Sequence, residues 1–401
     1  MVALRAFWFS YFCGLGIFAP YFSLYLRENG ALSGTEVGVV LAIIPLVGIF
    51  AQPLWGQIAD RTGARSRILV VLTLGVAVGL VVLSQVSGFA AILLATAATA
   101  VFSTAVVPMT VSVSFAILRD AGPHAFGFTR VWGTVGFLLL VVSFPWLLDR
   151  AQAARNLSAL PGGPSEPGLE MMFIAFAGFA AVAAVIGLFL PRRGVIALRT
   201  LPGTWRHLLR HPPIVRLLFF NFVAALCLFG PIQLFPVFVR ACGGDMQTVG
   251  RLWIFMLALE IPLVLLSGAT VVRLGARGLL ALGAFGGGLR WAVCGFSQDL
   301  RIIAPFQVLH GVEIAGLVIG GPLYLETVVP ESLRSTSQGL LAMGIASGAI
   351  LSNVLAGWLL QHAGTNAPYL YGGLGALTLA ALSRWILLPA ERRVDADAIL
   401  G

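Results

Sequence analysis

Four ionisable side chains lie inside otherwise apolar stretches of the C-terminal half of the chain. They are Glu260, Arg290, His310 and Glu313, in a sequence of 401 residues of which only 10% are charged. A charged group in hydrocarbon costs roughly 2.5–3.5 kcal/mol on insertion scales, so such groups persist mainly where they face a polar cavity or an opposite charge. This placement predicts a functional acid–base cluster.

The spacing of the four groups indicates proton chemistry. His310 and Glu313 are three residues apart and share one face of a helix, and Gln307 is one further step along that face. An apolar cavity favours a protonated Glu313, and an approaching cation or water favours release of the proton. Histidine donates or accepts near neutral pH, whereas Arg290 keeps its charge and is the natural counter-ion. Glu260 is a second acceptor, either for a solute hydroxyl or for the arginine.

Structural alternatives exist for single members of this set. Glu260 could pair with an arginine only to hold two helices together, and His310 could be a hydrogen-bonded histidine of the core. A purely structural role for all four residues is disfavoured, because their insertion costs accumulate.

The elements that must position these groups are membrane-spanning helices. Hydrophobic residues make up 59% of the chain, against about 45–50% in soluble domains, and a span needs about 20 residues. Twelve apolar runs of that length lie near 6–26, 35–58, 68–87, 90–116, 128–148, 171–190, 216–239, 250–271, 279–297, 302–326, 336–361 and 368–388. We therefore predict an all-α polytopic membrane protein with twelve transmembrane helices.

The spans divide into two related halves. A polar, arginine- and proline-rich stretch at 191–213 predicts a cytoplasmic linker between six-helix halves at 1–190 and 214–401. Val37 recurs at Val249 and Gly63 at Gly275, an offset of 212 residues in both cases. Tandem halves of this kind are typical of transporters, with the solute bound between them near the midplane.

The basic residues predict orientation. All 25 are arginine, and they concentrate in alternate loops and in the linker. This distribution predicts a protein of the inner membrane with both termini in the cytoplasm. The arginines of the cytoplasmic loops account for the net charge of +9. The sequence has no basic patch interleaved with aromatic residues, so it does not indicate a nucleic-acid partner.

Other kinds of chemistry are not indicated. The four cysteines lack CxxC spacing, so neither a metal site nor a disulfide framework is predicted. No Ser-His-Asp set or phosphate-binding loop suggests an enzyme or a cofactor. The expected partners are protons, a small solute and the lipid bilayer, and we expect a monomer.

The loop after the second span combines glycines, one acid and three arginines. These residues are Gly56, Asp60, Arg61, Gly63, Arg65 and Arg67. Gly56 would allow close helix contact, and Gly63 would permit a tight turn. The pattern suits either a lock between helix ends or a basic loop that only fixes topology. Its spacing resembles the signature loop of the major facilitator superfamily, which implies a conformational role.

The charged set resembles a second pattern. Glutamate on the eighth span, arginine on the ninth and His-x-x-Glu on the tenth are similar to the proton-coupling set of the lactose permease family of sugar:proton symporters. This resemblance implies solute binding and coupling for Glu260 and solute contact for His310. It implies that Glu313 carries the proton and that Arg290 tunes its release.

A broader resemblance is to the phenylpropionate-permease and nucleoside-symporter-like branch of the same superfamily. It is carried by residues 10–30, 130–137, 249–260, 289–291 and 306–311. In both families the arginine matching Arg130 reaches the central cavity, and Phe137 falls where the sugar permeases stack an aromatic ring on their substrate. A cytoplasmic helix-end role is the alternative for Arg130.

The chain departs from the lactose permease pattern at several positions. The stretch 108–115 carries no acid, so galactoside recognition is not expected. Gln307 and Gln233 stand where that family has a lysine and its acidic partner. Because both members of that charged pair are replaced, neither charge is left buried without its partner. Arg130 then suits an anionic solute, which a guanidinium binds in bidentate fashion.

We predict a proton-coupled symporter of a small organic solute, such as a sugar, a nucleoside or an aromatic acid, working by alternating access. The expected solute-binding residues are Arg130, Phe137, Gln233, Glu260, Gln307 and His310. One alternative is a proton-driven efflux antiporter for sugars or drugs, although the first span has no acid before Glu28. Another alternative is a membrane receptor that does not transport.

Overall fold

The structure is a computed structural model, and its regular elements are helices. It describes residues 1–119, 121, 125–157, 166–191, 204–258, 260–330 and 333–389, with the backbone but not the side chains at 204–205, 261–273 and 335. Across these ranges no β-strand occurs. A helix satisfies its backbone hydrogen bonds within one segment, which an apolar chain in lipid requires.

Six long helices form the N-terminal part of the chain. They are α1 (Val2–Leu24), α2 (Gly34–Thr62), α3 (Arg65–Leu83), α4 (Phe89–Leu118), α5 (Ala125–Ala154) and α6 (Met171–Leu188). A π-helical turn, Tyr25–Asn29, continues α1. α2 begins at a capping box made by Ser33 and Glu36, which satisfies N–H groups of its first turn.

Nine further helices follow among the residues that the structure describes. They are α7 (Thr204–Leu208), α8 (Pro212–Ala241), α9 (Met246–Ala258), α10 (Glu260–Phe296), α11 (Leu300–Phe306), α12 (Leu309–Ile314), α13 (Gly320–Val328), α14 (Arg334–His362) and α15 (Ala367–Ile386). α10 is broken at Gly275, where φ is 65°. Gly63 ends α2 with a φ of 64°. The two glycines that the repeat pairs therefore both adopt the left-handed φ that glycine tolerates best.

Helices occupy every place at which the sequence predicts a span. Among the described residues, ten helical segments are long and apolar enough to cross a membrane. The other two predicted spans fall on α9 with the first part of α10, and on α15. The prediction of an all-α, polytopic membrane fold is confirmed.

The tenth predicted span, 302–326, is not one regular helix. It consists of α11, α12, a π-helical turn at Ala315–Ile319 and α13. Pro305 lies in α11 and supplies no backbone N–H for a helical hydrogen bond. The π turn inserts an extra residue into the helical repeat, and such turns are frequent at functional sites.

The chain forms two compact units. One comprises Met1–Ala197 with Asp245–Arg251, and the other comprises Leu198–Gly244 with Leu252–Gly401. In the first unit, α1 packs against α5 and α6, while α4 packs against α2 and α3. In the second unit, α10 packs against α15, and α8 packs against α14 and α15. Most of the predicted linker, at 192–203, lies outside the described residues.

Candidate functional site

The centre of the candidate site is an ion pair between α10 and α12. Arg290 Nη2 lies 2.9 Å from Glu313 Oε2, and the two side chains are 0% and 10% exposed. The atoms are not aligned as a hydrogen bond, so the contact is mainly electrostatic. Because both charges are withdrawn from water, each depends on the other for compensation.

His310 lies between two carboxylates. Its Nε2 is 3.9 Å from Glu260 Oε2, and its Nδ1 is 3.9 Å from Glu313 Oε2. These distances exceed those of hydrogen bonds, but they leave the ring within electrostatic reach of both acids. The edge of Trp253 faces the imidazole, with 6.5 Å between ring centroids. The histidine thus connects the partly exposed Glu260 with the buried Glu313.

The structure brings Arg290 to Glu313 and gives Glu260 a different neighbour. The sequence leaves open whether Glu260 serves a solute or Arg290, and in the structure His310 is an ionisable neighbour of Glu260, at 3.9 Å. The side chain of Glu260 is 26% exposed. It is the most accessible of the four groups, and a solute could approach it more readily than the others.

Aromatic rings hold the guanidinium of Arg290 in place. Its Cζ lies 3.8 Å from the centroid of the Trp291 ring, and that ring contacts Tyr369 edge-on at 5.4 Å. A cation over a tryptophan face gains about 2 kcal/mol when it is desolvated. Arg290 Nε and Nη1 have no hydrogen-bond partner among the described residues. The sequence does not predict Trp291 or Tyr369 as site residues. The position of Trp291 directly after Arg290 is the one sequence signal that points to it, and Tyr369 has none.

The local backbone of the site is irregular. His310 and Glu313 occupy the short helix α12, and the π turn at Ala315–Ile319 begins two residues after Glu313. α12 and the π turn both pack against α10, the helix that carries Arg290. The two residues that the His-x-x-Glu spacing singled out therefore share a single helical turn, held between two interruptions of the span.

Gln307 and Gln233 are not brought to the ion pair by any described hydrogen bond. Gln307 is fully buried, and its Nε2 donates to Ile303 O at 3.4 Å and points to Cys294 Sγ at 3.7 Å. Gln233 is half-buried on α8. Their assignment to the solute site remains a prediction.

Arg130 and Phe137 lie on α5, in the first unit. The guanidinium of Arg130 is 5.0 Å from the Trp8 ring centroid and 4.7 Å from that of Phe12, and its Nη1 lies 3.4 Å from Thr134 Oγ1. This half-buried arginine therefore rests on an aromatic surface of α1. Phe137 follows two turns later along α5, half-buried like Arg130.

The loop between α2 and α3 is closed by an ion pair. Arg65 Nη2 contacts Asp60 Oδ1 at 2.7 Å, across the turn made by Gly63. Arg61 and Arg67 are exposed. The expectation that Gly56 allows close helix contact is wrong for this structure, since a Cβ at that position would meet no described atom within 4 Å. Gly56 instead borders a cavity of about 250 Å³ that Asp60 and Arg65 also line.

Metal coordination has no support in the described part of the chain. No group of three or more His, Cys, Asp or Glu side chains there is arranged to hold a metal ion. The clustered charges at the site consist of one cation, two carboxylates and one imidazole.

Comparisons with known proteins agree on one family. A model of the MFS_1 like family matches residues 1–371. The maltose permease of Geobacillus stearothermophilus is 28% identical over 94% of this chain and 93% of its own length. A probable 3-phenylpropionic acid transporter of Escherichia coli is 24% identical over 95% of both chains. The crystal structure of the nucleoside transporter NupG superposes with a TM-score of 0.82 at 17% identity, covering 96% of this chain and 98% of the other.

Proposed function

The chain belongs to the MFS_1 like family of the major facilitator superfamily, and on that premise we propose that it is a proton-coupled symporter of a small organic solute. The observation that carries the proposal is the buried Glu313, which faces Arg290 at 2.9 Å and His310 at 3.9 Å. A buried carboxyl group beside a permanent cation has two accessible states, and the balance between them changes when the cation or water moves.

The proposed coupling step is proton exchange at Glu313. In the state described here, the carboxylate is compensated by Arg290, which favours its ionised form. When the two groups separate during transport by alternating access, the buried carboxylate becomes costly and takes up a proton. Return of the guanidinium then expels the proton. This cycle uses the contact between Arg290 and Glu313, whose side chains are both buried.

His310 and Glu260 are proposed to join solute binding to this step. Glu260 is the accessible acid, so it suits a solute hydroxyl, and His310 lies 3.9 Å from it and 3.9 Å from Glu313. A solute that engages Glu260 would alter the field at the histidine and, through it, at the proton carrier. Arg130, Phe137, Gln233 and Gln307 are proposed as further solute contacts on the resemblance alone.

A sugar is the first solute to test. The maltose permease relative extends over almost the whole chain, and Glu260 offers the carboxylate that a sugar hydroxyl can donate to. The relative named for 3-phenylpropionic acid also spans nearly the full length. An anionic solute of that kind would suit Arg130 better, because guanidinium binds carboxylate.

We further propose that the protein lies in the inner membrane with both termini in the cytoplasm. The basis is the concentration of arginines in alternate loops. The Asp60–Arg65 pair lies on that arginine-rich side, and its proposed role is to hold the ends of α2 and α3 together in one conformation and release them in another.

The test is uptake into proteoliposomes under an imposed pH gradient. Maltose, 3-phenylpropionic acid and uridine serve as labelled probes, and Glu313→Gln is compared with Glu326→Gln, an exposed glutamate on α13. We expect accumulation of at least one probe above its external concentration, lost in Glu313→Gln and kept in Glu326→Gln. Undiminished accumulation in Glu313→Gln would refute the coupling role, and gradient-driven extrusion would favour the antiporter instead.

A further inference from the structure

Gly287 lies opposite the proton-carrying carboxyl group. A Cβ at this position would be 3.0 Å from Glu313 Oε2 and 3.0 Å from both Cδ atoms of Leu228. We propose that Gly287 is a positioning residue, which leaves the space that the Glu313 carboxylate needs to remain beside Arg290. The inference rests on the proposed function, in that Glu313 is taken as the proton carrier.

The neighbouring glycines show how closely α10 packs against the span that carries Glu313. Gly283 lies one turn before Gly287 on the same face of α10, and a Cβ there would be 2.8 Å from Gly316 Cα in the π turn. A Cβ at Gly316 would be 2.3 Å from Gly283 Cα. Backbone therefore meets backbone at this point, and moving the two segments apart to admit a side chain at Gly287 would cost this close packing.

A Cβ at Gly287 would press on the Glu313 carboxylate and on Leu228, both at 3.0 Å. Leu228 is apolar and can change rotamer without losing a partner. The Glu313 carboxylate is held by its 2.9 Å contact with Arg290, and a shift of Oε2 away from the added Cβ would alter that contact. An added methyl group is thus expected to weaken the ion pair and to favour the neutral carboxylic acid.

The three glycines at 286–288 face three different parts of the structure. A Cβ at Gly286 would be 3.0 Å from Val312 Cγ1, and one at Gly288 would be 2.8 Å from Leu377 N of α15. Among the three, Gly287 alone faces a charged atom. The run therefore combines helix packing at its outer members with space for a carboxylate at its centre.

The test measures the protonation of Glu313 directly, without a solute. Infrared difference spectra of the full chain in lipid vesicles are recorded over a pH series, and the carboxylic C=O band that disappears in Glu313→Gln is assigned to Glu313. The variants are Gly287→Ala and the double variant Gly287→Ala/Leu228→Ala. The double variant removes the contact with Leu228 and provides a second measurement if the single variant fails to insert. Gly339→Ala on α14 is the control, since a Cβ there meets no described atom within 4 Å.

We expect the midpoint pH of the Glu313 band to rise by about one pH unit or more in both Gly287 variants, and to stay unchanged in Gly339→Ala. An unchanged midpoint in Gly287→Ala would overturn the inference. A midpoint restored to the wild-type value in the double variant would also overturn it, since displacement of Leu228 would then be the cause. If the shift occurs while the wild-type protein moves no protons with solute, the proposed function fails and the positioning role stands.

Discussion

Replacing Glu313 by glutamine should destabilise the protein more than replacing Arg290 by methionine, although the two residues form one ion pair. Arg290 is completely buried, and its guanidinium cannot lose its proton. Glu313→Gln therefore leaves a buried charge without its counter-ion, at a cost of about 4 kcal/mol. Arg290→Met leaves a carboxyl group that becomes neutral by taking up a proton, at a cost of about 2 kcal/mol for a buried polar group without its partner.

The double variant Arg290→Met/Glu313→Gln isolates the interaction energy between the two residues from the contributions of their surroundings. Contacting residues couple by up to about 3 kcal/mol, so we expect the double variant to lose about 3 kcal/mol in free energy of unfolding, less than the sum of the single losses. The assay is thermal unfolding of the purified protein in detergent, in which 1 kcal/mol corresponds to roughly 2 °C or less for a chain of this size. Equal losses in the two single variants, or additive losses in the double variant, would refute the reasoning.

Two further predictions concern the surroundings of the site. Trp291→Leu should lower the free energy of unfolding by about 2–4 kcal/mol, because Arg290 loses the ring 3.8 Å from its Cζ and the fully buried indole leaves a cavity; thermal unfolding measures this, and an unchanged melting temperature would contradict both contributions. Asp60→Asn should lower stability by less than about 1 kcal/mol, since the Asp60 side chain is 48% exposed, yet slow the initial rate of solute uptake if the pair locks a conformation. Wild-type uptake in Asp60→Asn would assign the loop to topology alone.

The helices could be predicted because the apolar signal of this chain is strong. Runs of about 20 apolar residues have few alternatives to a spanning helix in lipid, and the repeat pairs Gly63 with Gly275, which both adopt a positive φ. The break in the tenth span could not be predicted in the same way. Pro305 is visible in the sequence, but the π turn at Ala315–Ile319 contains Gly316, which packs closely against Gly283 of α10, and such a tertiary contact has no local sequence signal.

The candidate site was only partly accessible from the sequence. The cost of buried charge identified Glu313 and Arg290, and the three-residue spacing placed His310 beside the acid. The roles of Trp291 and Gly287 depend on which side chains face them across a helix pair, which no periodicity encodes. For the same reason the sequence suggests close packing at Gly56, whereas no described atom lies within 4 Å of a Cβ at that position.

The measurement that tests the central claim most directly is proton movement during downhill solute entry. Maltose is added to weakly buffered proteoliposomes without an imposed gradient, and the external pH is recorded for the wild type, Glu313→Gln and Glu326→Gln, with 3-phenylpropionic acid and uridine tested in turn. The account predicts external alkalinisation with at least one solute in the wild type and in Glu326→Gln, and none in Glu313→Gln. Alkalinisation that persists in Glu313→Gln, or solute entry without any proton movement in the wild type, would contradict it.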